Sequence, residues 1–351
     1  MKNTGLFFAS LLFSLLMAEL ILRTFDVLPY HQSHGFILNE PQLLDADAEL
    51  GWMPRPGRYV WKEPMPGHPN LIFTIGEDRL RVTGGDVEDT RPEIALIGGS
   101  SFFGWGLSDE QTLAWKLQQR LNDFRMRNLG VTAFGTYQSW LSLRRLLEEG
   151  AIKPKIVLYG FISHHEVRNV AHAEWLKSMY FVNKTRNSGA IFLPFVSLAN
   201  DGRIVPQKPE AYTLSGFSEY SVLWKLIEDT YQTLVMNRIG IAEEATRALL
   251  RDINDYCRER GMRFIVLMID FKDDKFTRYA EFFPNNEIEY IDIRAPAADY
   301  EKWQLPFDPY KHLGEVAQDY WADKIISSGM LKPKIPKIPG KIPGKIPGTQ
   351  Y

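Results

Sequence analysis

Residues 93–106 read EIALIGGSSFFGWG: a short apolar run, two glycines, two serines, then an aromatic and glycine-rich stretch. An apolar run that stops at glycine is the pattern of a strand buried on both faces of a parallel sheet. Runs of the same kind follow at 127–131 (RNLGV), 155–161 (KIVLYGF), 263–270 (RFIVLMID) and, more weakly, 288–293 (IEYIDI). Between them, residues 109–121, 137–149, 242–260 and 314–326 carry apolar side chains three and four apart, the spacing of one helix face. Strands alternating with helices predict an α/β fold built on a doubly wound parallel sheet.

Residues 28–92 are rich in proline, glycine and aromatics. Alternating stretches at 58–61 and 70–75 predict hairpins in a small β-rich lead-in. The interval 170–240 breaks the strand and helix rhythm and predicts an insertion packed over one end of the sheet, within a main domain of residues 93–330. Residues 331–351 are a lysine, proline and glycine tail whose repeat, KIPKIPGKIPGKIPG at 334–348, is expected to be disordered because proline blocks both helix and central strand. At the other end, residues 3–18 carry no charge and are followed by Glu19 and Arg23. Residues 1–27 are therefore expected to be an uncleaved single-pass membrane anchor, with a cleaved signal as the alternative. Lys2 before the apolar run places the remainder outside the cytoplasm; in a bacterium, an inner-membrane protein with a periplasmic or extracellular domain.

Composition excludes several function classes. With 41 basic against 43 acidic residues the net charge is −2, so no electrostatic case exists for a nucleic-acid partner. Cys257 is the only cysteine, which rules out an internal disulfide and a thiolate metal cluster. His164, His165 and Glu166 form a compact group, but read as adjacent strand residues the two imidazoles would face opposite ways, so no metal site is expected. Nothing in the sequence sets the oligomeric state.

Ser100 falls where a strand runs into a glycine turn, a place where a nucleophile can meet backbone amides and a substrate carbonyl. The stretch GGSSFFGWGLSDEQT (98–112) resembles the first block of the SGNH, or GDSL-like, hydrolase family, in which the serine is the nucleophile and its amide an oxyanion donor. NLGVTAFGTYQ (128–138) resembles the second block, with Gly130 matching the glycine that supplies a second donor. YGFISHHEVRN (159–169) stands at the third block, where the family reads G-x-N-D or G-F-x-x-N-D. It places His165 and Glu166 opposite the asparagine and aspartate, so His165 or the later Asn169 is the candidate third donor. LPFDPYKHLGEVAQDYWADKI (305–325) resembles the closing D-x-x-H, although Asp308 lies four residues before His312 rather than three, which demands a bulge. Asp270, at the end of a predicted strand, is the other carboxylate in view.

The resemblance implies a three-layer α/β/α, five-stranded flavodoxin-like fold and serine-dependent hydrolysis or transfer of O-acyl groups. Ser100, His312 and Asp308 would do the chemistry, with neither metal nor organic cofactor. An extracytoplasmic anchor, with Trp105, Trp140 and Trp175 able to stack on sugar rings, makes an acylated cell-surface polysaccharide the expected substrate, a small ester the alternative. O-acetyl transfer onto exopolysaccharide, and a catalytically degenerate binding module of a polymer-export assembly, are the rival readings.

Overall fold

The computed structural model describes residues 2–27, 41–86, 88–185 and 190–332. It opens with α1 (Lys2–Thr24), whose apolar part, Thr4–Thr24, is about 30 Å long, the thickness of a bilayer's hydrocarbon core. By length and composition this helix is a signal sequence or a single membrane anchor. The repeat at 334–348 lies outside the described residues, as does 28–40 of the lead-in.

Two antiparallel hairpins follow: β1 (Leu44–Asp47) with β2 (Gly51–Pro54), and β3 (Gly57–Trp61) with β4 (Leu71–Ile75), Tyr59 facing Phe73. Trp61, Leu71, Phe73 and Ile75 build a small core of their own with Phe103 and Trp105.

The main domain then alternates. β5 (Glu93–Gly98) leads to α2 (Ser100–Phe103) and α3 (Leu113–Arg120); β6 (Arg125–Gly130) to α4 (Thr136–Glu148); β7 (Pro154–Ile162) to α5 (His165–Asn169) and α6 (Ala173–Thr185). A hairpin of β8 (Leu193–Leu198) and β9 (Ile204–Glu210) precedes α7 (Val222–Val235) and α8 (Ile239–Glu259). β10 (Arg263–Asp270), α9 (Asp273–Asn285), β11 (Glu289–Asp292), α10 (Ala297–Tyr300) and α11 (Glu315–Ser327) complete it. The five parallel strands lie in the order β6-β5-β7-β10-β11. Counted along the chain this is 2-1-3-4-5, the doubly wound flavodoxin-like order, whose ligand crevice opens at the strands' carboxyl ends where the winding reverses, between β5 and β7.

Period-two alternation splits every central strand between two cores. Ala95, Ile97, Val157, Tyr159, Phe161, Val266 and Met268 face α4, α8 and α9; Ile94, Leu96, Ile156, Leu158, Ile265 and Leu267 face α3 and α11. The result is three layers, helix, sheet and helix. Within the interval 170–240, the β8–β9 hairpin packs on α4, α5 and α8.

Candidate active site

Ser100 is the first residue of α2, directly after β5. Gly98 (φ +151°) makes the sharp exit from the strand, and Gly104 (φ +83°) closes α2 by returning its N–H to Ser100 O at 2.9 Å. As first residue of a helix, Ser100 has an N–H without an intrahelical acceptor, which leaves it free to face a substrate oxygen.

The turn beyond α2 is braced from the lead-in. Arg81, fully buried, donates Nη1 to Phe103 O (2.8 Å) and Gly104 O (2.6 Å), Nη2 to Leu107 O (2.6 Å) and Nε to Asp109 Oδ1 (3.2 Å). Its guanidinium lies against both the Phe73 and Phe103 rings, 4.7 and 4.9 Å from their centroids. Burial pulls its pKa down to about 10, against the upward pull of Asp109. Four oxygens of this loop are thereby held by one side chain, Gly104 O also accepting from Leu107 N–H and Asp109 Oδ1 from Thr74 N–H.

His312 sits at the closed end of a loop before α11. A bridge between Gln304 and Leu313, with Leu305 N–H donating to His312 O at 2.8 Å, brings the two arms of this loop together. Within it, Asp308 Oδ1 accepts from Tyr310 N–H (3.2 Å), and Oδ2 accepts from His312 N–H (2.7 Å) and from the ring Nδ1 (2.6 Å). Lys311, at φ +60°, is the extra residue: the chain bulges there into the left-handed region so that the longer Asp-to-His spacing still closes. The other ring nitrogen, Nε2, lies 2.6 Å from Ser100 Oγ. With Nδ1 bearing the proton toward a carboxylate, Nε2 presents a lone pair to the serine hydroxyl. Burial on its own raises the Asp308 pKa, but the His312 ring and the amides of His312 and Tyr310 outweigh it and hold the carboxyl below its ordinary range. The Asp270 carboxylate, exposed at the end of β10, accepts from Tyr300 Oη at 3.4 Å.

The remaining sequence candidates fall differently. Gly130 N–H donates to Asn128 Oδ1 at 3.0 Å and is not free for an oxyanion; a methyl at this position would collide with the backbone at Phe103 N, so the glycine lets α2 sit down on β6. Asn169 is buried with both amide hydrogens taken, by Thr136 Oγ1 (2.9 Å) and Thr246 Oγ1 (2.8 Å), while its oxygen accepts from Tyr137 N–H; it cannot be a donor to substrate. His165 is buried behind the site: Nδ1 meets Tyr159 Oη at 2.7 Å, Nε2 is unpartnered and abuts Gly99, and burial keeps the ring neutral. Glu166 binds Lys275 Nζ (2.6 Å) and Tyr279 Oη (2.9 Å). Trp105 and Trp140 are 8% and 6% exposed and belong to cores, which removes them as sugar platforms; Trp175 is half-buried beneath the Arg168 guanidinium, 4.4 Å away.

His164 is the residue that sequence reasoning passes over. It lies in the turn before α5, not on a strand as the two histidines are expected to be, and part of its ring is open to solvent. The protein packed around it, then the nearby Arg168 and His312, hold its pKa well below that of an ordinary histidine. The signal is present in the chain: counting two residues past Gly160–Phe161 in the longer third-block pattern reaches His164, not His165. Arg168 Nη1 donates to Phe134 O (2.9 Å), and Arg168 pairs with no carboxylate among the described residues. The neighbouring turn carries Ala133 at φ +68°, a left-handed non-glycine residue at the same rim. No group of three or more histidine, cysteine, aspartate or glutamate side chains able to hold a metal occurs among the described residues.

No family model matches the chain, and no curated protein does. Solved structures similar to it include lipolytic and esterase proteins. TesA is 14% identical over 67% of this chain and 97% of its own, with a TM-score of 0.36. A member of the lipolytic protein G-D-S-L family from Veillonella parvula DSM 2008 is 8% identical, covering 68% and 99%, at 0.36. A catalytic mutant of Axe2, an acetylxylan esterase from Geobacillus stearothermophilus, is 12% identical, covering 70% and 95%, at 0.36.

Proposed function

We propose that this chain is a serine-dependent O-acyl ester hydrolase, with Ser100 as nucleophile, His312 as general base and Asp308 as the carboxylate that orients the base. The supporting observation is one imidazole held between a carboxylate and a serine hydroxyl, each at 2.6 Å. In the reaction, His312 Nε2 takes the Ser100 proton as Oγ attacks the ester carbonyl, and the Ser100 amide faces the developing oxyanion. The imidazolium returns its proton to the leaving alkoxide, and water, activated by the same nitrogen, releases the acyl group. Asp308 remains ionised throughout and stabilises the imidazolium.

The proposed substrate is an acylated cell-surface polysaccharide met outside the cytoplasm. The apolar N-terminal helix supports it. The test compares the full chain with Ser100→Ala on p-nitrophenyl acetate and acetylated xylan, and maps the adduct of a serine-reactive phosphonate. Turnover lost in the variant, with the adduct on Ser100, supports the reading. Equal activity in both proteins, or no labelling of Ser100, ends it.

A further inference from the structure

One helix of the folded part presents an apolar face to solvent. On α7, Trp224, Ile227, Tyr231, Leu234 and Val235 are all exposed. At 3.6 residues per turn they fall within one arc of about 100°. Phe217 before the helix and Ile239 after it are exposed as well. Among the described residues, no other helix or strand after α1 exposes more than one large apolar side chain. The opposite side of α7 is fixed to the domain: Val222 is buried, and Asp229 accepts from Lys177 Nζ at 2.6 Å and Tyr212 Oη at 2.7 Å.

The same helix is where α1 docks. Glu19, near the end of α1, accepts from the N–H of Val222 (3.0 Å) and Leu223 (2.9 Å) and from Ser221 Oγ (3.0 Å), so it caps the amino end of α7. Arg23 adds Nη2 to Tyr220 O at 2.6 Å and Nε to Glu19 at 2.8 Å. The charge-free part of α1, residues 3–18, is about 24 Å long, so when that part lies in the hydrocarbon core Glu19 and Arg23 stand at its outer boundary, and α7 starts at that depth. A charge-free stripe with tryptophan and tyrosine among aliphatics is the composition that settles at the level of lipid headgroups.

We propose that α7 is a membrane-docking helix: its stripe lies in the outer headgroup region of the bilayer that α1 crosses, so the domain is seated on the lipid surface and not suspended from a tether. This rests on α1 being retained as an anchor, and the test separates the two. Cys257 is fully buried with its thiol pKa pushed up to about 12, so the parent chain stays unlabelled by a thiol-reactive probe. Full-length Leu234→Cys, and Glu281→Cys on the exposed side of α9 as control, carry an environment-sensitive fluorophore in phosphatidylcholine and phosphatidylglycerol vesicles. The expected result is blue-shifted emission at 234, quenched by spin-labelled lipid, with neither effect at 281. Water-like emission at 234 in chains that float with the vesicles overturns the docking and leaves the anchor standing. Failure to float overturns both. A blue shift that grows with protein concentration but is not quenched by lipid overturns it in favour of contact between two copies.

Discussion

Asp308 grips His312 at two points, the ring Nδ1 at 2.6 Å and the backbone N–H at 2.7 Å, through the same oxygen. One carboxylate therefore sets both where the histidine leaves the loop and which way its ring turns, and the ring's other nitrogen ends 2.6 Å from Ser100. On the proposed mechanism the three groups act as a unit, so Ser100→Ala and His312→Ala should each lower kcat by about 10⁴-fold or more, with little further loss in the double variant. Asp308→Asn should lose about 10³ to 10⁴-fold, since an amide can leave the imidazole in the wrong tautomer. Steady-state kinetics on an activated ester, with circular dichroism to confirm folding, checks the set.

The same contacts predict a pH signature in stability. A carboxyl whose pKa is lowered by folding contributes stability that is complete above its unfolded value, near 3.8, and is lost as pH falls through the lower folded value. The gap in melting temperature between the natural chain and Asp308→Asn should thus narrow as the buffer is taken from about pH 5 to about pH 3. A gap that widens on acidification contradicts the assignment.

The sheet is legible in the sequence because its signal is local: runs such as IALI and IVLYGF alternate between two cores, so each must be apolar at nearly every position, as a strand covered on both faces requires. His312 is legible by inventory, since only one histidine follows His172. The amide donors are not, because a backbone N–H has no identity in the sequence; whether Gly130 offers one depends on where the Asn128 side chain turns. Asn169 fails for a related reason, its amide facing inward to Thr136, Thr246 and Tyr137, whereas His165 turns Nδ1 to Tyr159 and leaves Nε2 unpartnered beside Gly99. Arg81 reads as one more polar residue between leucine and valine, and only the fold brings four loop oxygens around it.

Gly130→Ala distinguishes a packing role from an amide role. The substitution keeps the N–H but sets a methyl against the Phe103 backbone, which cannot rotate away as a side chain would. α2 must lift and carry Ser100 with it. The expected outcome is destabilisation of about 1–3 kcal/mol by overpacking, and a fall in kcat larger than any change in KM, measured by chemical denaturation and kinetics.

Arg81→Met removes the charge but keeps much of the buried volume. The carbonyls of Phe103, Gly104 and Leu107 and the Asp109 carboxylate then lose their shared donor inside the protein. A loss of about 3–5 kcal/mol is expected, the range for breaking a buried ion pair from one side. Activity per folded molecule should fall as well, because the released carbonyls belong to the turn that follows the nucleophile. Unfolding curves and active-site titration separate the two effects.

The lead-in is tied to the main domain by Arg145, whose guanidinium meets Asp47 at 2.7 and 3.0 Å and Glu49 at 2.6 Å. The hydrogen bonds from Arg145, helped by the amides of Leu50 and Glu49, lower the Asp47 pKa from 3.8 to about 2 against the effect of burial. Nearly two units would correspond to about 2.5 kcal/mol, but both side chains keep contact with water, so about 1 kcal/mol is the expected contribution. It is present above 3.8 and disappears as pH falls through about 2. Arg145→Met should accordingly lose about 1 kcal/mol at neutral pH and progressively less in acid, read from urea unfolding at several pH values. The tie also bears on the site: Leu50 O accepts from Gln138 Nε2 at 2.7 Å, and Trp52 Nε1 donates to Thr132 O at 2.9 Å, in the turn whose Phe134 carbonyl borders Gly99. A loosened hairpin removes support from the wall next to Ser100, so the variant's activity should decline at a lower temperature than that of the natural chain, ahead of global unfolding.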